Sequence, residues 1–368
     1  MSRQSPLSRE QLLHRNQATI GSDRNAARLT IAEVMIEPGS AVSLVRDEQI
    51  SDCFRLVCEI GADGLRRQRR HEKIEAIRLD DRIAGQHLEV RELEGLVPRG
   101  SVVTFQPKQA PRTRVQQVFD DQPRDKGGTI FGNDDRFLFN DQSFPWRTTG
   151  LIRTAGGRCS GTTIGPRLVL TASHCVNWSA DGDSAGWITF TPGYFDGSGP
   201  WGEIAATNVI YWNQAQGLLN DQETAFDYVV LVMEENIGDV IGYPGYRTYD
   251  DAWNGGTFWQ YIGYPGELAG GERPAFQADA VITSVQNESL SGQTGFVMGH
   301  FNEFTPGQSG GSAWGWWDDE PWPRVVGVGS TIGSTAASAP HGSTNGDNEY
   351  GGGPALSSLI SWARANFP

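Results

Sequence analysis

The 368-residue sequence lacks any apolar run close to the roughly 20 residues that a membrane-spanning helix needs. Its first thirty residues also lack the apolar centre of a secretory signal, which predicts a cytoplasmic protein if Met1 is the true start. Positive charge is scarce, since 30 basic residues face 44 acidic ones and the net charge is −14. Such an acidic chain is a poor candidate for binding nucleic acid or a membrane surface.

Cysteine is also scarce. Four cysteines are too few for a disulfide scaffold, and with the six histidines they form no metal-ligand pattern. The sequence therefore predicts neither a metal nor another cofactor. Cys53 and Cys58 fit small buried apolar side chains. Cys159 and Cys175 flank a strand-like stretch, where a bridge would contribute about 3 kcal/mol but would require an oxidising compartment.

Composition divides the chain. All 12 tryptophans lie beyond residue 145, and residues 1–125 carry a charge of about +1 against about −15 for 126–368, which together give −14. We predict a polar tail over 1–25, either mobile or a loosely held helix, and a small α+β N-terminal region over 26–105. A linker rich in proline and glycine follows over 106–128, and a C-terminal domain over 129–368.

Within the N-terminal region, strand-like runs occur at 29–36, 54–60 and 100–105. The arginine-rich run 66–70 has no interleaved aromatic residues, so it predicts a solvated loop or helix face rather than a nucleic-acid site. Residues 96–101, with the sequence LVPRGS, resemble the site that thrombin cleaves in engineered fusion proteins.

The C-terminal domain alternates short strand candidates with glycine-rich turns. They lie at 150–154, 167–171, 186–190, 208–212, 228–233, 257–262, 278–285, 295–301 and 324–329. This spacing without intervening helices indicates an antiparallel sandwich or barrel. A helical period appears only behind Pro354, which predicts one amphipathic closing helix.

Ser309 stands among glycines in the sequence GQSGGS, residues 307–312. Hydrolysis of an amide needs a nucleophile, a base, a group that orients the base, and donors for the oxyanion. A sharp turn here would present Ser309 as nucleophile, with the N–H groups of Gly307 and Ser309 as donors. The pattern also fits the nucleophile elbow of α/β-hydrolase esterases, whose histidine could only be His341, but that fold needs alternating strands and helices.

Two further segments carry a family resemblance. LVLTASHC, ending at His174 and Cys175, and FDYVVL, which contains Asp227, closely resemble the histidine and aspartate motifs of chymotrypsin-like serine proteases. The resemblance implies a mainly β fold with a double six-stranded antiparallel β-barrel and a C-terminal helix, here preceded by the small α+β region. It also implies a triad of His174, Asp227 and Ser309, a Cys159–Cys175 disulfide, and a protein or peptide substrate. Members of the family are usually secreted.

Residues 132–136, 144–146 and 263–266 are similar to segments of the bacterial glutamyl-endopeptidase branch. Gln308, however, stands where digestive proteases carry an aspartate that pairs with a freshly cut N-terminus, so activation by that ion pair is excluded. Glutamate-selecting members usually have a histidine in place of Gly329, and a threonine or serine in place of Phe304. Selectivity for glutamate is therefore not predicted.

Glu303, six residues before Ser309, stands where trypsin-like enzymes place the acid of their specificity pocket. A carboxylate there favours lysine or arginine before the scissile bond. The resemblance assigns substrate binding to Glu303, Phe304, Gly329, Ser330 and Thr331.

The sequence thus predicts a serine endopeptidase with a preference for basic residues. The alternatives are a non-catalytic binding module on a protease scaffold, or the α/β-hydrolase esterase. For the N-terminal region we predict an inhibitory propeptide or a partner-sensing domain.

Overall fold

A computed structural model describes residues 5–22, 54–61, 64–71, 74–83, 92–110, 130, 134–180, 182–318, 320–331 and 347–368. In chain order the strands are β1 (Phe54–Gly61), β2 (Gly64–His71), β3 (Ile74–Arg78), β4 (Glu92–Leu93), β5 (Phe137–Leu138), β6 (Thr149–Thr154), β7 (Gly157–Gly165), β8 (Leu168–Thr171), β9 (Ser184–Ala185), β10 (Ile188–Pro192), β11 (Ile204–Tyr211), β12 (Val229–Met233), β13 (Gly245–Arg247), β14 (Thr257–Gly263), β15 (Ala275–Leu290), β16 (Gln293–His300), β17 (Ser312–Gly315), β18 (Arg324–Thr331) and β19 (Asn348–Gly352). The helices are α1 (Arg9–Ser22), α2 (Asp80–Ile83), α3 (Asp221–Ala225), α4 (Ile237–Ile241) and α5 (Pro354–Asn366).

The first barrel is formed by six antiparallel strands in the order β10-β6-β7-β8-β12-β11, and a further β10–β11 pairing closes it. Side chains that alternate toward the interior fill it, among them Ile152, Val169, Phe190 and Leu231, all almost fully buried. The sequence did not predict β7 as a strand, because its glycines and threonines give little apolar periodicity.

The second barrel has the order β17-β14-β15-β16-β19-β18 and is closed by a β17–β18 pairing. Its interior is rich in aromatic side chains, including Trp259, Trp317, Tyr261 and Tyr350. Strands β17 and β19 are short and contain glycine, so their sequences carried no strand signal. The prediction of a mainly β double barrel is confirmed.

The closing helix is also confirmed. Helix α5 begins at Pro354, whose fixed φ suits the first helical position, and it buries Leu356, Leu359 and Ile360 in the core shared by the two barrels. Within the described ranges, no helix is long and apolar enough to cross a membrane.

Parts of the N-terminal region contribute strands to both barrels. Strand β3 pairs in parallel with β11, and β4 pairs antiparallel with β13 at the edge of β18. Leu7 and Leu12 pack on Trp316. The tail was predicted to be either mobile or helical, and α1 shows that it contains a helix. The domain boundaries remain a prediction.

Two local predictions are wrong. The run 66–70 belongs to β2 and pairs with β1 as a hairpin, so it is neither a loop nor a helix. Residues 100–105 form only an isolated bridge, Val103 with Phe144, because the partner segment turns into the 3-10 helix Trp146–Thr148 directly after it. The predicted strand 29–36 and nearly all of the predicted linker lie outside the described residues.

Candidate active site

His174 lies just beyond β8, in a short 3-10 turn. Asp227 lies just before β12, which is the antiparallel neighbour of β8, with Val229 opposite Thr171. This register brings the two side chains together, and His174 Nδ1 lies 2.6 Å from Asp227 Oδ2. The His174 backbone N–H donates to Asp227 Oδ1 at 2.8 Å. The carboxylate therefore fixes both the ring and the main chain of the histidine.

The pairing also controls the protonation of His174. Burial alone would lower the pKa of the imidazole, but the charge of Asp227 and the hydrogen bond to it outweigh burial and raise the pKa above 6.5. Asp227 is itself fully buried. Because Nδ1 is committed to the carboxylate, Nε2 is the nitrogen left to accept a proton.

Ser330, on β18, completes the surroundings of the carboxylate. Its hydroxyl donates to Asp227 Oδ2 at 2.6 Å, and the residue is buried. The sequence assigned Ser330 to substrate binding, which stays a prediction, and the structure adds this contact of its hydroxyl with Asp227. No local pattern signals this contact, because 103 residues separate the partners.

Ser309 occupies a turn that only glycine neighbours permit. Gly307 has φ +97° and Gly310 has φ +79°, values that other residues rarely adopt. A Cβ on Gly310 would lie 2.2 Å from Thr171 Oγ1 and 2.4 Å from the Ser160 carbonyl oxygen. The glycine therefore lets the nucleophile turn approach the strand that leads to His174.

The two predicted oxyanion donors have oriented peptide groups. The Pro306 carbonyl accepts from the Gly266 N–H at 2.8 Å, and the Gln308 carbonyl accepts from the Tyr261 hydroxyl at 2.5 Å. In a trans peptide the N–H points away from the carbonyl, so these contacts fix the N–H directions of the next residues, Gly307 and Ser309. Neither N–H donates to another group of the described chain.

Strand β7 connects the segments that carry His174 and Ser309. Cys159 forms the predicted disulfide with Cys175, directly after His174. The adjacent Ser160 donates from its N–H to the Ser309 carbonyl at 2.8 Å and from its hydroxyl to the Gly307 carbonyl at 2.8 Å. One strand thus holds the histidine turn and the serine turn together.

A second connection runs through Gly329. Its carbonyl accepts from the Gly310 N–H at 2.9 Å, its N–H donates to the Gly311 carbonyl at 2.8 Å, and Ser330 follows with its contact to Asp227. The Ser309 hydroxyl itself makes no hydrogen bond with any residue that the structure describes. The structure thus joins Asp227 to His174 directly, and Ser309 to both through the backbone.

Glu303 is buried beside a second acid. It is 3% exposed, and its Oε2 has no hydrogen-bond partner among the described residues. Gln277 bridges the two acids, since its Oε1 accepts from the Glu303 N–H and its Nε2 donates to Asp135 Oδ1 at 2.7 Å. Burial first, and then the charge of Asp135, raise the pKa of Glu303 to about 8.

The other predicted specificity residues differ in position. Phe304 is fully buried against the ring of Tyr261, at 5.8 Å between centroids. A Cβ on Gly329 would lie 2.2 Å from Tyr261 Oη and 2.5 Å from Phe304 Cε2, so a larger residue there would require these buried rings to shift. Thr331 is partly exposed and donates from its hydroxyl to Glu349 at 2.7 Å.

The family model described as trypsin matches residues 137–341, more than half of the chain. The chain belongs to the trypsin family. Membership confirms the predicted relationship to chymotrypsin-like serine proteases. Within the described ranges of this trypsin-family chain, no group of histidine, cysteine and acidic residues is placed to hold a metal ion.

Two curated relatives match this trypsin-family chain. The chain is 33% identical to a glutamyl endopeptidase of Bacillus licheniformis over 147 residues, which are 39% of this chain and 44% of that protein. It is 29% identical to an extracellular metalloprotease of Bacillus subtilis over 144 residues, 37% of this chain and 45% of that one. The chain therefore spans less than half the length of these relatives.

A solved structure of a Glu endopeptidase in complex with MPD superposes with a TM-score of 0.51 at 21% identity. It is covered completely and accounts for 64% of this chain. That likeness concerns the fold alone.

Proposed function

We propose that the chain is a serine endopeptidase whose triad consists of His174, Asp227 and Ser309. The hydrogen bond between His174 Nδ1 and Asp227 carries the proposal, because it leaves Nε2 as the base for a serine hydroxyl. Ser309 attacks the peptide carbonyl while His174 takes its proton, and the N–H groups of Gly307 and Ser309 stabilise the oxyanion.

The tetrahedral intermediate then collapses: the C–N bond breaks, His174 gives its proton to the leaving amine, and Ser309 remains acylated. This acyl-enzyme reacts with water. His174 removes a proton from the water, the new tetrahedral intermediate collapses, and Ser309 recovers its proton as the acid product leaves. The Asp227 carboxylate stabilises the imidazolium in each half-reaction. Every group that these steps require belongs to the chain itself.

A fluorophosphonate probe tests the activity. We expect it to label the purified chain and the exposed-surface variant Ser198→Ala, but not Ser309→Ala. Absence of labelling in the folded wild-type chain would favour the non-catalytic binding module. The α/β-hydrolase alternative does not fit the antiparallel barrels, and its His341 lies outside the described residues.

For specificity we propose a preference for lysine or arginine before the scissile bond. The support is the acid pair of the buried Glu303 and the exposed Asp135, which in its ionised form would repel a substrate carboxylate and attract a cation. The close packing at Gly329 also excludes the histidine that glutamate-selecting members usually carry there. Cleavage of a peptide library is the test, and a preference for acidic or large apolar residues would contradict the proposal.

For the N-terminal region we propose a regulatory role, either inhibitory or partner-sensing. Because β3 and β4 extend the barrel sheets, displacement of this region would disturb both barrels. Arg99 is exposed within the LVPRGS sequence, so thrombin can be used to cut there. We expect cleavage to change kcat/KM toward a peptide substrate, and an unchanged value would argue against regulation by this region.

A further inference from the structure

Arg136 is a guanidinium enclosed between the start of the protease domain and the nucleophile turn. Its side chain is 1% exposed. Nη1 donates to Gln308 Oε1 at 2.6 Å and to Thr305 Oγ1 at 3.0 Å. Nε and Nη2 donate to the carboxylate of Asp134 at 2.9 Å each, and Nη2 donates to Glu267 at 2.6 Å. All three of its nitrogens are engaged.

These contacts surround the peptides that carry the oxyanion donors. Gln308 directly precedes Ser309, and its side-chain oxygen also accepts from the Thr305 N–H at 3.1 Å. Glu267 accepts from the Thr305 hydroxyl at 2.6 Å. It directly follows Gly266, whose N–H donates to the carbonyl of Pro306, the residue before Gly307. The guanidinium is therefore the common partner of the two segments that orient the oxyanion hole.

We propose that Arg136 is a positioning residue that assembles the oxyanion hole in place of a freshly cut N-terminus. In digestive relatives a terminal ammonium pairs with an aspartate at the position of Gln308. Here the cation comes from a side chain within the chain, and the acceptor is a neutral amide. The proposal rests on the endopeptidase function proposed above, and it implies that the hole forms without any cut immediately before the domain.

The two arrangements differ in their response to pH. An α-amino group titrates near pH 8, so an oxyanion hole that depends on it is lost in alkaline solution. A guanidinium keeps its charge above pH 12. If Arg136 acts as proposed, kcat stays constant between about pH 8 and 10.

The test compares Arg136→Ala, Arg136→Lys and Gln308→Ala with Arg324→Lys. Arg324 is a matched control because it is also buried and paired with a carboxylate, Glu320, but contacts backbone carbonyls of Leu93 and Tyr246 rather than the nucleophile turn. Thermal unfolding shows which variants fold. The kinetic readouts are kcat, KM and the affinity of a peptide aldehyde, which forms an oxyanion on Ser309.

We expect Arg136→Ala to lower kcat about 10²-fold or more, as the loss of an oxyanion donor does, and to weaken the aldehyde in parallel while KM changes little. Arg136→Lys retains part of the activity, and Arg324→Lys retains all of it. If Arg136→Ala does not fold, Gln308→Ala is expected to give the same split between kcat and KM. Folded Arg136→Lys and Gln308→Ala variants with kcat within twofold of wild type would overturn the proposal.

The proposal would also be overturned if kcat fell with a midpoint near pH 8 to 9 and this pH dependence disappeared when the N-terminus was acetylated. These results differ from failure of the proposed endopeptidase function. If that function were wrong, the fluorophosphonate probe would not label Ser309 even in the wild-type chain.

Discussion

At the scale of single residues, Asp227 is the most constrained group of the site. It is wholly buried and accepts hydrogen bonds from the His174 ring, the His174 main chain and the Ser330 hydroxyl. A buried carboxylate without such donors would be strongly destabilised. The contact from Ser330 therefore helps to fix the carboxylate in orientation.

Replacement of Ser330 by alanine should reduce activity without loss of the fold. A hydrogen bond to a charged group contributes about 1.5–3 kcal/mol, so we expect kcat/KM to fall about tenfold to hundredfold. Ser312→Ala is the matched control, because Ser312 is also buried but its hydroxyl has no partner among the described residues. Equal activities of the two variants would show that the contact to Asp227 is unimportant.

The pH profile should reflect the raised pKa of His174. Only the neutral imidazole can act as base, so kcat/KM falls as the pH drops through this pKa, with a midpoint above 6.5. Asp227→Asn removes the charge that raises the pKa, so the midpoint moves down while kcat falls about 10⁴-fold. A wild-type midpoint below pH 6 would be inconsistent with the pairing.

Glu303 should produce a second pH effect, confined to cationic substrates. Its pKa of about 8 means that the carboxyl is neutral at lower pH and becomes a carboxylate as the pH rises. We expect KM for a lysine or arginine substrate to decrease through this range, and KM for a neutral substrate to stay constant. In Glu303→Gln, KM for the cationic substrate should no longer depend on pH in this range. If the dependence persists, another group causes it.

The raised pKa of Glu303 also predicts how the stability of the fold changes with pH. The folded chain holds the Glu303 proton up to about pH 8, whereas the unfolded chain loses it near 4.5. The contribution of Glu303 to stability therefore declines as the pH rises from 4.5 to 8, and Glu303→Gln should raise Tm relative to wild type at pH 9.

At the scale of elements, the site depends on close contact between the nucleophile turn and the first barrel. Gly310 and Gly292 share a φ of +79°, but a Cβ on Gly310 would clash with β7 and β8, whereas a Cβ on Gly292 would meet nothing within 4 Å. Substitution of each glycine by alanine therefore distinguishes the cost of backbone strain, present at both positions, from the cost of crowding, present only at Gly310.

We expect Gly292→Ala to cost about 1–2 kcal/mol in free energy of unfolding, which is the strain alone. Gly310→Ala should cost about 1–3 kcal/mol more, because the nucleophile turn must move away from the strands. Urea denaturation measures both, and equal losses would mean that the contact is not tight.

The sequence predicted those elements whose signal is local. The triad of His174, Asp227 and Ser309 was predicted because each residue belongs to a short contiguous motif, and it stays a prediction. Most strands were predicted because they are rich in Val, Ile and Leu. Strand β7 was missed because its residues are small and polar. The contact of Arg136 with Gln308 spans 172 residues, and no pattern along the chain encodes such a distance.

At the scale of the whole molecule, part of the N-terminal region belongs to the barrel core. Ile77, on β3, is buried among residues of the central cluster, and Ile74 is buried in the interior cluster of the first barrel. The parallel pairing of β3 with β11 adds backbone hydrogen bonds along its length. We therefore expect this segment to unfold together with the barrels.

Ile77→Ala tests this expectation. Removal of a buried isoleucine side chain costs about 2–5 kcal/mol, and the loss should lower the single main unfolding transition. Val102→Ala, at an exposed position, is the control and should have little effect. If the main transition is unchanged while a separate, earlier one shifts, the segment folds independently of the barrels.

Two neighbouring residues of β7, Cys159 and Ser160, serve opposite faces of one strand, because consecutive side chains in a strand alternate. Insertion or deletion of one residue between Gly157 and Cys159 would shift the strand register and present the thiol where the hydroxyl is required. Homologues should therefore vary freely in the length of the turn at residues 155–156, while the ladder beyond it keeps its residue count.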